Sequence, residues 1–327
     1  MEGIELFLVA TNSIGFICVC SGILRFLKWV WGMWLRPAKN LKQYGSWAII
    51  SGSTDGIGKA MGFELASEGL NLVLVGRNPL KLEGTRKEIR DRHDVEVKLV
   101  VIDMQKVEGE EIAKRVEEAI DGLDVGLLVN SAGLAYPYAR FFHEVDSELM
   151  DGIIKVNLEG PTWITKAVLP TMINKKKGAI LNIGSGSTVV LPSYPLVTLY
   201  AATKAYLAMF SRCISLEYKQ QGIDVQCQVP LFVSTKMSKM KTSVFVPTAE
   251  KYSKTCRRWI GYEKVVQPYY LHSVQGFFIR SIPDAFVDSY LLRYFLYWRR
   301  RGQSKYSNIN PLPSPNSFSQ HPHSTTN

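Results

Sequence analysis

The chain has 327 residues, of which 46% are hydrophobic and 21% charged, and it carries a net charge of +10 at neutral pH. That length holds one large α/β domain with appendages, and so ordinary a composition excludes a globally disordered chain. The positive balance suits an acidic membrane surface or a phosphate-bearing ligand; no nucleic-acid motif accompanies the cations, so no nucleic-acid partner is expected.

Residues 6 to 24 carry no charge and lie between Glu5 and Arg25. A helix of that length comes close to the ~30 Å hydrocarbon core of a bilayer. A cleaved signal peptide would start basic, whereas Glu2 and Glu5 precede this run, and no clear small-residue cleavage site follows. Tryptophans and cations come next, from Arg25 to Arg36, as at a membrane interface. A membrane anchor over residues 1–43 is the better reading, against a buried core helix. Arg25, Lys28, Arg36, Lys39 and Lys42 all follow the span, which places the remainder in the cytosol.

The folded domain, 44–302, opens with a short buried strand, Ser46 to Ile50. Gly52, Ser53, Thr54, Asp55, Gly56, Ile57 and Gly58 follow, ahead of a helical pattern through Glu68. Glycines at 52, 56 and 58 between a strand and a helix let backbone approach a pyrophosphate at the helix N-terminus, although such glycines also serve plain turns. A second strand, Asn71 to Val75, leads to Arg77. NAD-binding folds usually place an acid there, whereas an arginine can pair with a 2′-phosphate; NADPH is therefore the expected cofactor, a solvated arginine the alternative.

Val97 to Ile102 is the third strand, ending at Asp103, which could hold an adenine amino group or cap the next helix, roughly Glu110 to Ile120. Strand four, Val125 to Val129, leads into Asn130, Ser131, Ala132 and Gly133, a small-residue loop against which a cofactor could lie. Asn157 falls within a helical stretch, either as a satisfied polar residue or as one that disturbs the helix and holds a water. The turn at Lys175–Gly178 precedes strand five, Ala179 to Ile183, followed by Ser185 and Ser187. Strand six, Gln226 to Val229, precedes Pro230 and Thr235. Repeated strand–helix units of this length predict a Rossmann-like, doubly wound parallel sheet with ligands at the carboxyl ends of its strands.

Tyr200 and Lys204 stand four residues apart, one turn of a helix. An ammonium beside a phenol favours the phenolate, which predicts a lowered Tyr200 pKa and a proton donor useful near neutrality. Residues 236–270 mix Lys236, Lys239, Arg257 and Arg258 with Met237, Phe245 and Trp259. They make either a solvated amphipathic segment or one that meets CoA phosphates or lipid headgroups and guides an acyl chain. Phe286 to Tyr297, followed by Arg299–Arg301, is either a membrane-lying helix or a packed terminal one. Residues 303–327 are polar and rich in Ser, Pro and Asn, and read as a disordered tail. The five cysteines and five histidines show no metal-ligand spacing; reduced thiols and no metal site are expected.

The glycine loop, the Asn-Ser-Ala-Gly segment, Asn157, Ser185 and the Tyr200/Lys204 pair resemble the short-chain dehydrogenase/reductase family over about residues 44 to 240. Tyr-Gly-Ser-Trp-Ala, Thr-Asp-Gly-Ile-Gly-Lys-Ala and Gly-Ile-Asp-Val-Gln-Cys-Gln-Val-Pro are similar to the plant very-long-chain 3-oxoacyl-CoA reductases and their 17β-hydroxysteroid dehydrogenase type 12-like relatives. The resemblance implies NADPH-dependent reduction of a long-chain 3-oxoacyl-CoA at the endoplasmic reticulum membrane, beside elongase subunits. It assigns Tyr200 as proton donor, Lys204 to the nicotinamide ribose, Ser185 to the substrate oxygen and Asn157 to a relay water. Ser187 has the family's usual spacing to the tyrosine and Ser185 its usual place after strand five. Ser51 and Ser131 stand where threonine and asparagine are common, and the chain ends without terminal lysines. Two other functions fit the same motifs: a hydroxysteroid dehydrogenase, or a catalytically weak paralogue serving as an elongase scaffold.

Overall fold

The computed structural model describes residues 2–309. Seven strands form one wholly parallel sheet: β1 (Trp47–Ser51), β2 (Asn71–Gly76), β3 (Val97–Val101), β4 (Val125–Asn130), β5 (Gly178–Ile183), β6 (Ile223–Gln228) and β7 (Val265–Val266). Their order is β3-β2-β1-β4-β5-β6-β7. The chain runs outward from β1 in one direction and from β4 in the other, so the crevice for a ligand opens where these two strands meet. Strand six begins at Ile223, earlier than its apolar run suggests, because Ile223 and Val225 pack inward while Asp224 pairs outside.

The helices follow from the pattern of buried residues. In chain order they are α1 (Glu2–Val30), α2 (Gly56–Ser67), α3 (Pro79–Arg90), α4 (Gly109–Ile120), α5 (Ser147–Ile154), α6 (Gly160–Asn174), α7 (Gly186–Val189), α8 (Thr198–Glu217), α9 (Ala249–Trp259), α10 (Tyr270–Arg280) and α11 (Asp284–Ile309). Alternate residues of a strand face opposite sides. Ile50, Leu72, Leu127 and Leu181 therefore pack with α2, α3 and α9, while Ile49, Val73, Leu128 and Ile180 pack with α4, α6 and α8. In α4, Ile112, Val116 and Ile120 repeat every fourth residue and form the buried stripe.

Over residues 6–24 helix α1 is uncharged and stands clear of the domain, with Leu6, Phe7, Phe16 and Leu24 all well exposed. Such a helix suits lipid rather than water, and it is a candidate membrane span by length and composition. It ends in a π-helical turn, Trp31–Leu35. The connector after it is bolted to the domain. The Arg36 guanidinium lies over the rings of Trp259 and Tyr262, at 4.4 and 3.7 Å from their centroids, and pairs with both oxygens of Glu263 at 2.7 and 3.0 Å. Lys39 and Tyr44 converge on Asp224. Trp29 Nε1 donates to Ser273 Oγ of α10 at 2.8 Å. At the other end, α11 continues to Ile309, past the boundary expected at 302; the rest of the expected tail lies outside the described residues.

Candidate active site

The glycine loop leaves β1 through a backbone only glycine fits. Gly52 has φ +70°, and a Cβ there would sit 2.7 Å from the Cα and N of Ala132. At Gly58 a Cβ would come within 2.3 Å of the Gly52 carbonyl oxygen. Ser53 is buried and donates to the Val75 carbonyl at 3.2 Å, which fastens the loop to the end of β2. Thr54 lies against Gly76, and Ile57, in the first turn of α2, packs against the core. Asp55 caps α2 through the Gly56 amide at 2.8 Å and pairs with Lys236 at 2.8 Å, which holds its carboxyl below the usual range against the opposing cost of burial. Thr235 rests on Gly56. The loops after β1 and β6 thus meet across the crevice.

After β4, Ser51 Oγ accepts the amides of Ser131 and Ala132 at 3.2 and 3.3 Å, so a serine hydroxyl does the bridging here. The Asn130 side chain is turned into the sheet. Its amide is buried and donates to Thr165 Oγ1 and Asn182 Oδ1 at 3.1 and 2.8 Å, and Asn182 donates on to Ser211 at 2.8 Å. The strand buries this side chain because Asn130 follows Val129 on the alternating pleat, leaving the backbone of 131–133 to face the crevice. Asn157 sits in a π-helical turn, Lys155–Glu159, so the helix is disturbed there as expected. Its amide is committed, however: Oδ1 accepts from Leu134 N at 2.7 Å, and Nδ2 donates to Leu134 O and Thr203 Oγ1 at 2.9 and 3.1 Å. Both hydrogens are used on protein, so this side chain positions the 130–134 loop.

Tyr200 and Lys204 stand on α8, whose first turn is held by the Tyr136 hydroxyl accepting from Leu199 N at 3.3 Å. Ser185 lies beside the Tyr200 hydroxyl and favours its ionised form. Ser187 Oγ in turn donates to Ser185 Oγ at 2.9 Å. Both serines that the spacing left in competition are therefore present, Ser185 beside the phenol and Ser187 behind it. The expected lowering of the Tyr200 pKa does not occur. Burial raises it, the Ser185 contact offsets only part of that rise, and Lys204 lies with Nζ 5.9 Å from the ring centre. Burial also pulls Lys204 down, to about 8. Lys204 donates to the Ile183 carbonyl at 2.8 Å, leaving two of its three hydrogens for other acceptors.

The residues present fit the nicotinamide dinucleotide that the sequence resemblance implies. A Cβ on Gly133 would stand 3.7 Å from each of Asn157 Oδ1, Lys204 Nζ and Met237 Cε, so the missing side chain keeps a space open between the glycine loop and the Tyr200/Lys204 pair. The first turn of α2 contains no acidic residue, as an anion site at a helix N-terminus requires. Arg77, exposed at the end of β2, donates to Gln105 at 3.0 Å. Asp103 accepts from Gln105 N at 3.2 Å and so shapes the turn after β3; it does not cap α4, whose N-cap is Glu108. Pro230 accepts the Gly186 amide at 2.7 Å, tying the β6 loop to the serine turn.

The substrate side differs from the sequence expectation. Helix α9 packs against α2, burying Tyr252, Cys256 and Trp259. Arg257 pairs with Glu64 and Glu68, the latter at 2.7 Å, and so acts as a packing cation between α9 and α2. Helix α11 roofs Tyr200 instead. Its Val287, Leu291 and Phe295 pack with Ala139, Leu196 and Tyr194, and Tyr136 and Tyr200 border the same cluster. Asp288 accepts from Ser193, and Arg299 pairs with Glu144. Sequence reasoning had no local signal for this roof, since its partners are distant in the chain.

Residues 46–244 match the model of the short chain dehydrogenase family. The chain is 44% identical over 298 residues to a very-long-chain 3-oxoacyl-CoA reductase-like protein of Arabidopsis thaliana, covering 89% of this chain and 94% of the relative. It is 37% identical over 245 residues to the human very-long-chain 3-oxoacyl-CoA reductase (73% and 76% covered) and 38% identical over 280 residues to a human inactive hydroxysteroid dehydrogenase-like protein (84% and 83% covered). A 7β-hydroxysteroid dehydrogenase structure aligns with TM-score 0.69 at 25% identity, over 77% of this chain and 99% of that one. With the strand order, the glycine loop and the Tyr200/Lys204 pair in place, these matches establish that the chain belongs to the short-chain dehydrogenase/reductase family, whose members bind NAD(P).

Proposed function

We propose that this protein reduces long-chain 3-oxoacyl-CoA to 3-hydroxyacyl-CoA with NADPH, at the endoplasmic reticulum membrane, with its catalytic domain in the cytosol and elongase subunits as neighbours. The observation that carries the proposal is the grouping of Ser185, Tyr200 and Lys204 just beyond the carboxyl end of β5, with Lys204 one turn along α8 from Tyr200 and bonded to the Ile183 carbonyl at 2.8 Å. The very-long-chain 3-oxoacyl-CoA reductases among its relatives support the substrate class. An inactive relative of similar identity makes catalysis the first point to test. Tyr200, Ser185, Lys204 and Asn157 are all present and assembled here, which favours the active enzyme over a scaffold.

The chemistry NADPH supplies when bound is a hydride for the keto carbon. A phenol is protonated at neutral pH and burial raises the Tyr200 pKa further, so the proton that reduction needs is in place, although it is held more tightly than on a phenol with a lowered pKa. As negative charge grows on the substrate oxygen, Ser185 donates a hydrogen bond to it and Tyr200 delivers a proton. Lys204, still largely protonated at neutral pH, offsets the phenolate left behind and has two hydrogens available for ribose hydroxyls. Arg77 would meet the 2′-phosphate, which favours NADPH over NADH. Asp55 caps α2 from the loop that would cradle the pyrophosphate, and Thr235 and Lys236 close on that loop.

NADPH oxidation by the detergent-solubilised protein with a long-chain 3-oxoacyl-CoA tests this, with Tyr200→Phe alongside. Turnover in the wild type that is lost in Tyr200→Phe is the expected result. Turnover with a keto-steroid alone would replace the substrate, and NADPH binding without turnover on either substrate would replace the enzyme by a scaffold.

A further inference from the structure

The α10–α11 pair presents an apolar surface that no part of the described chain covers. Phe277 and Phe278 on α10 are 64% and 62% exposed. On α11, Phe286, Tyr290 and Tyr297 fall at spacings of four and seven and so form one stripe. Phe286 is 71% exposed, and all three point away from the buried line of Val287, Leu291 and Phe295. One helix thus has a face on the catalytic cluster and an aromatic face outward.

What occupies the outward face follows from its continuity with α1. Trp29 donates to Ser273, and Trp34 packs on Tyr270 with ring centres 6.2 Å apart. Tyr270, Ser273 and Phe277 are spaced three and four apart, so the face of α10 that grips the end of α1 runs on into Phe277. Phe277 therefore lies about one helical turn, roughly 5 Å, from the point where the interfacial tryptophans are held. The rigid connector at Arg36 leaves the domain little freedom to turn this face away. Exposed cations punctuate the surface: Arg280 ends α10, and Arg293 and Arg300 lie on α11, against one exposed acid, Asp284. Aromatic rings interleaved with arginines are what a headgroup layer with anionic lipid accommodates.

We propose that α10 and α11 form a second membrane contact, a monotopic surface that lies in the headgroup region of the same bilayer α1 enters. The occupant is lipid, not a partner protein, because the surface begins at the anchor's own interfacial tryptophans. Under the acyl-CoA function, the roof over Tyr200 is then also the part of the domain nearest the acyl chains.

The test uses the full chain in purified nanodiscs of phosphatidylcholine and phosphatidylserine, with no other protein present. Cys18, Cys20 and Cys213 are changed to serine; Cys227 and Cys256 are buried and remain. Phe277→Cys and Tyr290→Cys are each labelled with bimane, and Lys87→Cys on α3, at the opposite edge of the sheet, serves as reference. A lipid nitroxide at the headgroup should quench 277 and 290 at least about twofold more than 87, and aqueous iodide should quench them less. Equal quenching by lipid at all three positions overturns the proposal, as does a chain that fails to enter the discs, which separately reports that α1 is no anchor. Neither readout depends on turnover, so a failure of the proposed reductase activity leaves the result interpretable.

Discussion

Ser185 receives a hydrogen bond from Ser187 at 2.9 Å and lies beside Tyr200, so two linked serines stand next to the phenol. The outer serine is the one beside the reacting group, and the inner one only aims it. Ser185→Ala should lower kcat by about 10²–10³-fold, as for loss of an oxyanion donor, and Ser187→Ala by no more than about tenfold. Steady-state NADPH oxidation on the proposed substrate distinguishes the two. Equal losses would mean that Ser187 also meets substrate.

Two glycines of the crevice should fail in different ways. Gly52→Ala meets backbone at 2.7 Å in a left-handed conformation, so it should destabilise the fold by about 2 kcal/mol or more and lower the melting temperature. Gly133→Ala meets nothing closer than 3.7 Å and should melt as the wild type does. Its methyl would project into the space kept for the dinucleotide, so the NADPH Kd should rise about tenfold or more. Fluorescence titration and thermal melts read the two effects apart.

How far the amino-acid sequence carries can be judged at particular residues. β1 through β6 are legible because buried apolar runs end in loops of small residues, and a parallel sheet must place those loops at one end. Gly52 and Ser185 were recoverable on that ground, and Tyr200 from its spacing of four to Lys204. α9 was not, because Arg257 and Arg258 on an amphipathic helix look the same whether their partners are phosphates or Glu64 and Glu68. The direction of the Tyr200 shift was missed for a related reason. Proximity of Lys204 is a local spacing, but burial among Tyr194, Leu196 and Phe295 comes from chain segments far apart.

Arg257→Glu follows from that correction. It breaks the pairs with Glu64 and Glu68 and sets like charges together, so stability should fall by about 1–2 kcal/mol. The KM for acyl-CoA, measured where the variant is folded, should not change. A raised KM with unchanged stability would restore α9 to the substrate path.

His272 should make the protein sensitive to mild acid. It is buried, accepts from Leu231 N through Nδ1 at 3.3 Å, and points Nε2 at the carbonyls of Phe232 and Phe245, both at 3.2 Å. Burial pulls its pKa down to about 4, although the two carbonyls favour the charged ring. The folded state thus binds its proton later than the unfolded state, so stability present above about pH 6.5 is lost as pH falls toward 4. The slope is about 1.4 kcal/mol per pH unit at most. Denaturant midpoints should decline across that window in the wild type and less steeply in His272→Gln. Parallel slopes would show that other groups govern the acid response.

The Asn130–Asn182–Ser211 ladder has a consequence beyond its own bonds. It crosses from β4 to β5 to α8, and each of those elements delivers a part of the catalytic centre: the 131–133 loop, Ser185, and Tyr200 with Lys204. An apolar core alone tolerates a strand that slides, since one valine can replace another in the same pocket. Amides cannot, because a shift of one residue leaves Asn130 and Asn182 facing the wrong rungs and strands their hydrogens unpaired. The same shift would carry Ser185 about 3.3 Å along its strand and away from Tyr200. The ladder therefore acts as an index mark, and the three parts of the centre arrive in alignment because their supports can be assembled in only one way.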